Sequence, residues 1–164
     1  MAPDTDPVEW TRRNWSEGDL PSPDHFAAMT ALLRTHQAMV TEMDQRLKPH
    51  GMSRTAYLLM ATLLISQDRT RPLGQLSRHL MVHPTTVTLV IDQLESRGLV
   101  SRTPHPTDRR TVLAALTDAG LEAVTKASDD LATVRFGLPG VSESLAQRTT
   151  GVLHQIRTKL GDLA

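Results

Sequence analysis

The stretch Val82-His83-Pro84-Thr85-Thr86-Val87-Thr88-Leu89-Val90-Ile91-Asp92-Gln93-Leu94-Glu95-Ser96-Arg97-Gly98-Leu99-Val100 decides the fold. Pro84 suits the first turn of a helix, where its missing N–H is not needed. Gly98 suits the end, where a left-handed residue closes the last turn. Between them Val87, Ile91 and Leu94, flanked by Val90, recur at three- and four-residue steps, the spacing of one buried helical face. At about 100° per residue the opposite face carries Thr85, Leu89, Asp92 and Ser96, with Thr86 and Thr88 on its flanks. Just before this helix, a shorter one is predicted over about Gly74 to Met81, with Leu76 and Leu80 inward. Just after it, Leu99 to Thr103 and Thr111 to Leu116 read as two strands joined by Pro104-His105-Pro106-Thr107-Asp108. Two helices around a tight turn, followed by a β-hairpin, make a winged helix-turn-helix.

The flanks are helical. Asp6-Pro7-Val8-Glu9 reads as a helix start, with Asp6 as cap, Pro7 at the first position and Glu9 at the capping-box position; the helix runs to about Trp15. Pro21 and Pro23 break it. Residues 24–48 form a long helix whose seam is Phe26, Met29, Leu33, His36, Val40, Met43 and Leu47, widened by Leu32 and Met39. An apolar surface on two sides suggests burial against both its own domain and a second chain. Ser53 caps a helix through about Ser66 that is apolar almost all round and so should be central. Gln67 to Pro72 reads as a polar loop. Thr117 caps a helix from about Asp118 to Arg135. Ser142 caps a last one to about Leu160, with a seam at Leu145, Thr149, Val152, Ile156 and Leu160.

Composition sets the bounds. The 164 residues are 39% hydrophobic and 22% charged, enough for one packed core. With no cysteine, disulfides, thiol catalysis and Cys-based metal sites are excluded. The longest apolar stretch, Tyr57 to Ile65, is too short to span a bilayer. The acidic start of the chain has no apolar core, so a secretory signal is not expected and a cytoplasmic location is. No metal or cofactor site is expected: the seven histidines are scattered, and the spacing of His36, His50 and His154 is not diagnostic. HExxH, G-x-S-x-G and a phosphate-cradling glycine loop are missing, and Asp129-Asp130 sits on a solvated helix face, so an enzyme is not expected.

Net charge is zero, but its distribution is uneven. Residues 69–111 carry Arg69, Arg71, Arg78, Arg97, Arg102, Arg109 and Arg110 against Asp92, Glu95 and Asp108, a local excess of +4, with His79, His83 and His105 added. Local charge makes a phosphate-binding footprint. A helix is narrow enough for the major groove, and threonine can bond phosphate or base edges while its methyl touches thymine. Two adjacent arginines at the hairpin tip, with Asp108 placed to orient one, suit a narrow minor groove. A winged helix can also serve as a protein-interaction module; the arginine excess and the Asp-Arg-Arg tip favour a double-stranded DNA partner.

The stretch Val82 to Val100, together with Asp108-Arg109-Arg110 and Leu116-Thr117-Asp118-Ala119-Gly120, resembles the recognition helix, wing and exit of MarR-family transcriptional regulators, and the helix order matches over roughly residues 24–163. The resemblance implies a homodimer with two winged lobes on a pseudo-palindromic operator, and repression relieved by a small molecule. It divides the chain into an N-terminal extension (1–23), a dimerisation helix (24–52), the DNA-binding domain (53–116) and C-terminal dimerisation helices (117–164). It also implies that His83, Pro84, Thr85, Thr86, Thr88 and Leu89 face the major groove. Arg110, braced by Asp108, enters the minor groove, with Arg109 as the alternative and otherwise a phosphate contact. Ser53, Arg54, Gln75, Ser77 and Arg102 are the remaining phosphate candidates.

Many relatives have arginine where this chain has Leu89, and from His83 to Asp92 there is no Arg, Lys, Asn or Gln. The strongest bidentate base readers are therefore absent, and readout through thymine methyls, groove width and DNA shape is expected. Trp10, Trp15, His36, Met39, Met43, Tyr57 and Met60 are candidates for a pocket taking a small aromatic or phenolic ligand, since Met adapts to varied shapes. The alternative for each is plain packing. A related branch that senses urate-like ligands shares an N-terminal extension with a tryptophan, but Leu58 and Val90 stand near the places of its acidic residue and its arginine.

Overall fold

A computed structural model describes residues 6–108 and 110–162. Its elements are α1 (Pro7–Glu17), α2 (Pro23–Leu47), α3 (Arg54–Leu64), β1 (Thr70–Pro72), α4 (Leu73–Leu80), α5 (Pro84–Ser96), β2 (Val100–Pro104), β3 (Val112–Leu116), α6 (Asp118–Thr133) and α7 (Glu143–Lys159). The fold is mainly helical with one small antiparallel sheet, a winged helix-turn-helix flanked by long helices.

The helix starts follow local chemistry. Asp6, Ser53, Thr117 and Ser142 each cap a helix by accepting a backbone N–H, from Val8, Ala56, Gly120 and Leu145 respectively. Glu9 does not turn back to complete a capping box; it pairs with Arg12 at 2.6 Å, one turn along. α6 ends at Thr133, two residues short of the expected Arg135, because Arg135 and Phe136 both take positive φ.

The polar loop expected over Gln67 to Pro72 contains a strand. β1 pairs with β3, Arg71 opposite Ala114, and the sheet order is β1-β3-β2. In the hairpin itself, Val100 lies opposite Leu116 and Arg102 opposite Ala114.

The core gathers on α3 as expected: Leu59, Met60 and Leu63 are fully buried, with Leu47, Leu76, Ile91, Leu94 and Leu131 around them. Full burial of each such side chain contributes about 1.5–3 kcal/mol. α6 is pressed against the end of α5 at Gly120, where a Cβ would stand 2.0 Å from the Leu99 carbonyl oxygen. Thr117 fixes the same junction by donating its hydroxyl to the Gly98 carbonyl at 2.8 Å.

The seam of α2 divides in two. Val40, Met43 and Leu47 are buried, whereas Met29, Leu32, Leu33 and His36 are exposed. α7 buries no residue at all, and its apolar seam of Leu145, Val152, Ile156 and Leu160 faces outward. Among the described residues, no helix is long and apolar enough to cross a membrane.

Candidate nucleic-acid interface

α4 and α5 meet through a tight turn in which Met81 takes a left-handed conformation (φ 52°). Val87, Val90, Ile91 and Leu94 are buried, which turns Thr85, Thr88 and Leu89 outward. Leu89, a large apolar side chain, is 57% exposed, and Thr86 is half-buried beside it. Thr88 donates its hydroxyl to the Pro84 carbonyl at 3.1 Å, leaving its methyl and the oxygen lone pairs for a partner.

His83 has a role that the spacing alone did not reveal. Its Nδ1 accepts the N–H of Thr85 at 3.2 Å, so the imidazole caps α5 beside Pro84. The far end of α5 is held as well. Arg97 donates to the Gly51 carbonyl at 2.7 Å and to the His50 carbonyl at 3.3 Å, where α2 gives way to α3. The His50 ring in turn lies 3.2 Å from Asp130 on α6.

At the base of the hairpin, Arg102 lies back along α5. It pairs with Asp92 at 2.5 Å and Glu95 at 3.0 Å, and donates to the Thr88 carbonyl at 3.2 Å. Three of its donor bonds are thus spent on α5, which leaves the remaining N–H groups for a phosphate. Asp92, expected on the outward face, stands there paired with Arg102.

At the tip, Asp108 accepts the Arg110 backbone N–H at 3.0 Å and the Thr111 hydroxyl at 2.6 Å. It therefore shapes the turn and holds Arg110 through its backbone N–H. The Thr111 bond, then the Arg110 N–H, with a smaller contribution from His105, holds its carboxyl below the usual aspartate range. His105 supports the same turn, its Nδ1 accepting the N–H groups of Thr107 (3.3 Å) and Asp108 (3.2 Å). Arg110 is exposed. Arg109 lies outside the described residues.

The other phosphate candidates separate. Gln75 is exposed on α4. Ser77 is only 7% exposed and donates its hydroxyl to the Gly74 carbonyl at 3.0 Å, so its side chain is turned inward. Ser53 spends its oxygen on the α3 cap, and Arg54 pairs with Asp44 at 2.8 Å.

A cavity of about 680 Å³ opens between the C-terminal half of α2, the start of α3 and the end of α4. His36, Met39 and Met43 line it together with Arg54, Leu58 and Val82. The other four pocket candidates lie elsewhere. Trp15 stacks on Phe26 with ring centroids 3.8 Å apart and donates its indole N–H to the Pro21 carbonyl, pinning α1 to α2. Trp10 stands exposed on α1. Tyr57 is buried with its hydroxyl 3.0 Å from that of Ser128, and Met60 is core. Their apolar character fits packing as well as a pocket, and only the helix geometry separates the two.

Known proteins share this architecture. The MarR family's sequence model matches residues 52–112. A MarR-family transcriptional regulator from Streptomyces coelicolor, Sco5413, is 33% identical, with a TM-score of 0.77 over 85% of this chain and 97% of that one. Another regulator from that organism, Sco3205, solved in complex with DNA, is 21% identical with a TM-score of 0.73, covering 84% of this chain and 88% of that one. The HTH-type transcriptional regulator MhqR of Bacillus subtilis is 29% identical over 90 residues, 55% of this chain, which span 61% of MhqR's length.

Proposed function

The chain belongs to the MarR family of transcriptional regulators, and from that premise we propose that it is a sequence-specific DNA-binding regulator, a homodimer that represses from a pseudo-palindromic operator until a small ligand releases it. The observation that carries this is the surface formed by α5 and the wing. A helix with an exposed threonine and leucine face, its one outward acid neutralised by Arg102, stands beside a hairpin tip bearing the exposed Arg110. The helix suits a major groove and the tip a neighbouring minor groove. Residues 53–116 are the DNA-binding domain. With Leu89 in place of a cationic reader, recognition goes through thymine methyls, groove width and DNA shape.

The second copy is argued from α7. A helix of this length without tertiary packing is marginal in water. Its outward seam, with the exposed Met29, Leu32 and Leu33 of α2, is a surface for another chain. The ligand is argued from the cavity at His36, Met39 and Met43, which separates the long helix from the lobe and suits a small aromatic or phenolic molecule.

Selection of bound duplexes from a random pool tests the proposal and should return two half-sites about 34 Å apart, centre to centre. Arg110→Ala should weaken binding to the selected duplex between several-fold and about a hundredfold, the range of one or two charge-assisted contacts, and leave the oligomeric state unchanged. Unchanged affinity in an anisotropy titration would remove the wing from the interface.

A further inference from the structure

A second cavity, of about 520 Å³, opens between the start of α4 and the wing. Gly74, Gln75 and Arg78 line it from α4, and His105, Arg110 and Thr111 from the hairpin. Arg78, Arg110 and His105 thus converge from two separate elements. Among the described residues none of the three forms an ion pair, whereas Arg54, Arg69 and Arg102 elsewhere are all paired. No carboxylate among the described residues lines the cleft, and the one beside it, Asp108, is turned to the wing backbone and Thr111, so an anion from outside the chain suits it.

Gly74 adds an independent sign. It sits in the first turn of α4 without a positive φ, and a Cβ there would meet nothing within 4 Å. Neither backbone nor internal packing calls for glycine, which costs about 0.5–1 kcal/mol against alanine inside a helix. Gly74 lines the cavity, and its bare backbone lets a ligand approach closely there. His105 supplies a third. With Nδ1 occupied as acceptor for the wing turn, the neutral ring carries its proton on Nε2 and can donate without a net charge.

We propose that this cavity is a phosphate seat, in which Arg78 and the His105 Nε2–H hold one backbone phosphate of bound DNA above the bare Gly74, beside the Arg110 that reaches for the minor groove. It rests on the DNA-binding function proposed above and adds Arg78, His105 and Gly74 to the interface. Free phosphate offers the same chemistry, so the test separates the two sources.

Anisotropy titrations use the selected duplex with single phosphates replaced by neutral methylphosphonates. For the wild-type chain, one replacement per half-site should weaken binding about tenfold. In Arg78→Gln that loss should already be present, the same replacement should add nothing, and the salt slope should fall by about 0.9 per half-site. His105→Asn, whose Oδ1 can take over the acceptor role in the turn, should still lose affinity for want of the donor. Gly74→Leu should keep or raise Tm, because leucine favours helix, yet weaken DNA binding. Wild-type affinity and slope in Arg78→Gln would overturn the seat while leaving the DNA reading intact. So would a flat methylphosphonate scan accompanied by Arg78-dependent amide shifts of Gly74 and Gln75 on titrating sodium phosphate at constant ionic strength, which would make it a free-anion site. Failure of the wild-type chain to bind any duplex would overturn the DNA function and the seat with it.

Discussion

His83 and His105 work alike at two edges of the proposed interface: each offers Nδ1 to backbone N–H groups, one at the start of α5 and one in the wing turn. Asp108 completes the wing turn, and its bonds to Thr111 and Arg110 are stronger with the ionised carboxylate. A carboxyl held below its ordinary pKa contributes fully above that ordinary value and loses its contribution as pH falls through the depressed one. The Asp108 contacts should thus persist throughout the neutral range. A carbon-detected NMR titration should place the Asp108 midpoint below the usual aspartate value of about 3.9. A midpoint at or above it would mean that the Thr111 and Arg110 bonds are not held in solution.

Among elements, the tie between wing and reading helix matters most. Arg102 joins β2 to Asp92, Glu95 and the Thr88 carbonyl on α5, holding the hairpin at a fixed angle and cancelling acid that would face phosphate. Arg102→Ala should lower DNA affinity, and adding Asp92→Asn should recover part of the loss by removing the uncompensated charge. Titrations of the single and double variants decide it: a double variant no better than the single one would leave geometry alone as the role of Arg102. The hairpin, the helix boundaries and most caps were legible in the sequence, because periodicity, proline and glycine placement, and Ser, Thr or Asp caps are local signals. β1 was not, being three residues long with no alternation to read. The partners of Arg102 lie 7 to 14 residues away and those of Arg97 lie 46 and 47 away; only the folded chain brings such groups together. Ser77 shows the converse, where a polar side chain at a plausible position is turned inward by the helix.

At the scale of the whole molecule, the proposed function requires two lobes held at one separation. Val152→Glu with Ile156→Glu places charge on the outward seam of α7 and should yield a monomer by sedimentation. Operator affinity should then fall steeply, since each half-site is gripped alone. A dimer that survives both changes would move the interface away from α7. A ligand in the cavity beside His36 and Met39 releases DNA only if it favours a mismatched separation; a hundredfold preference supplies about 2.7 kcal/mol of coupling per site.

Arg97 determines what form such a change can take. Its guanidinium holds two main-chain oxygens, at His50 and Gly51, and so fastens the tail of the reading helix to the end of the long α2 rod. An object wedged between rod and lobe meets a door already hung at one corner. A lobe that swings about that corner keeps the tie, whereas one that slides away must break it. Induction would then act as a change of stride between two intact feet, visible on the duplex as altered half-site spacing tolerance with each footprint itself unchanged.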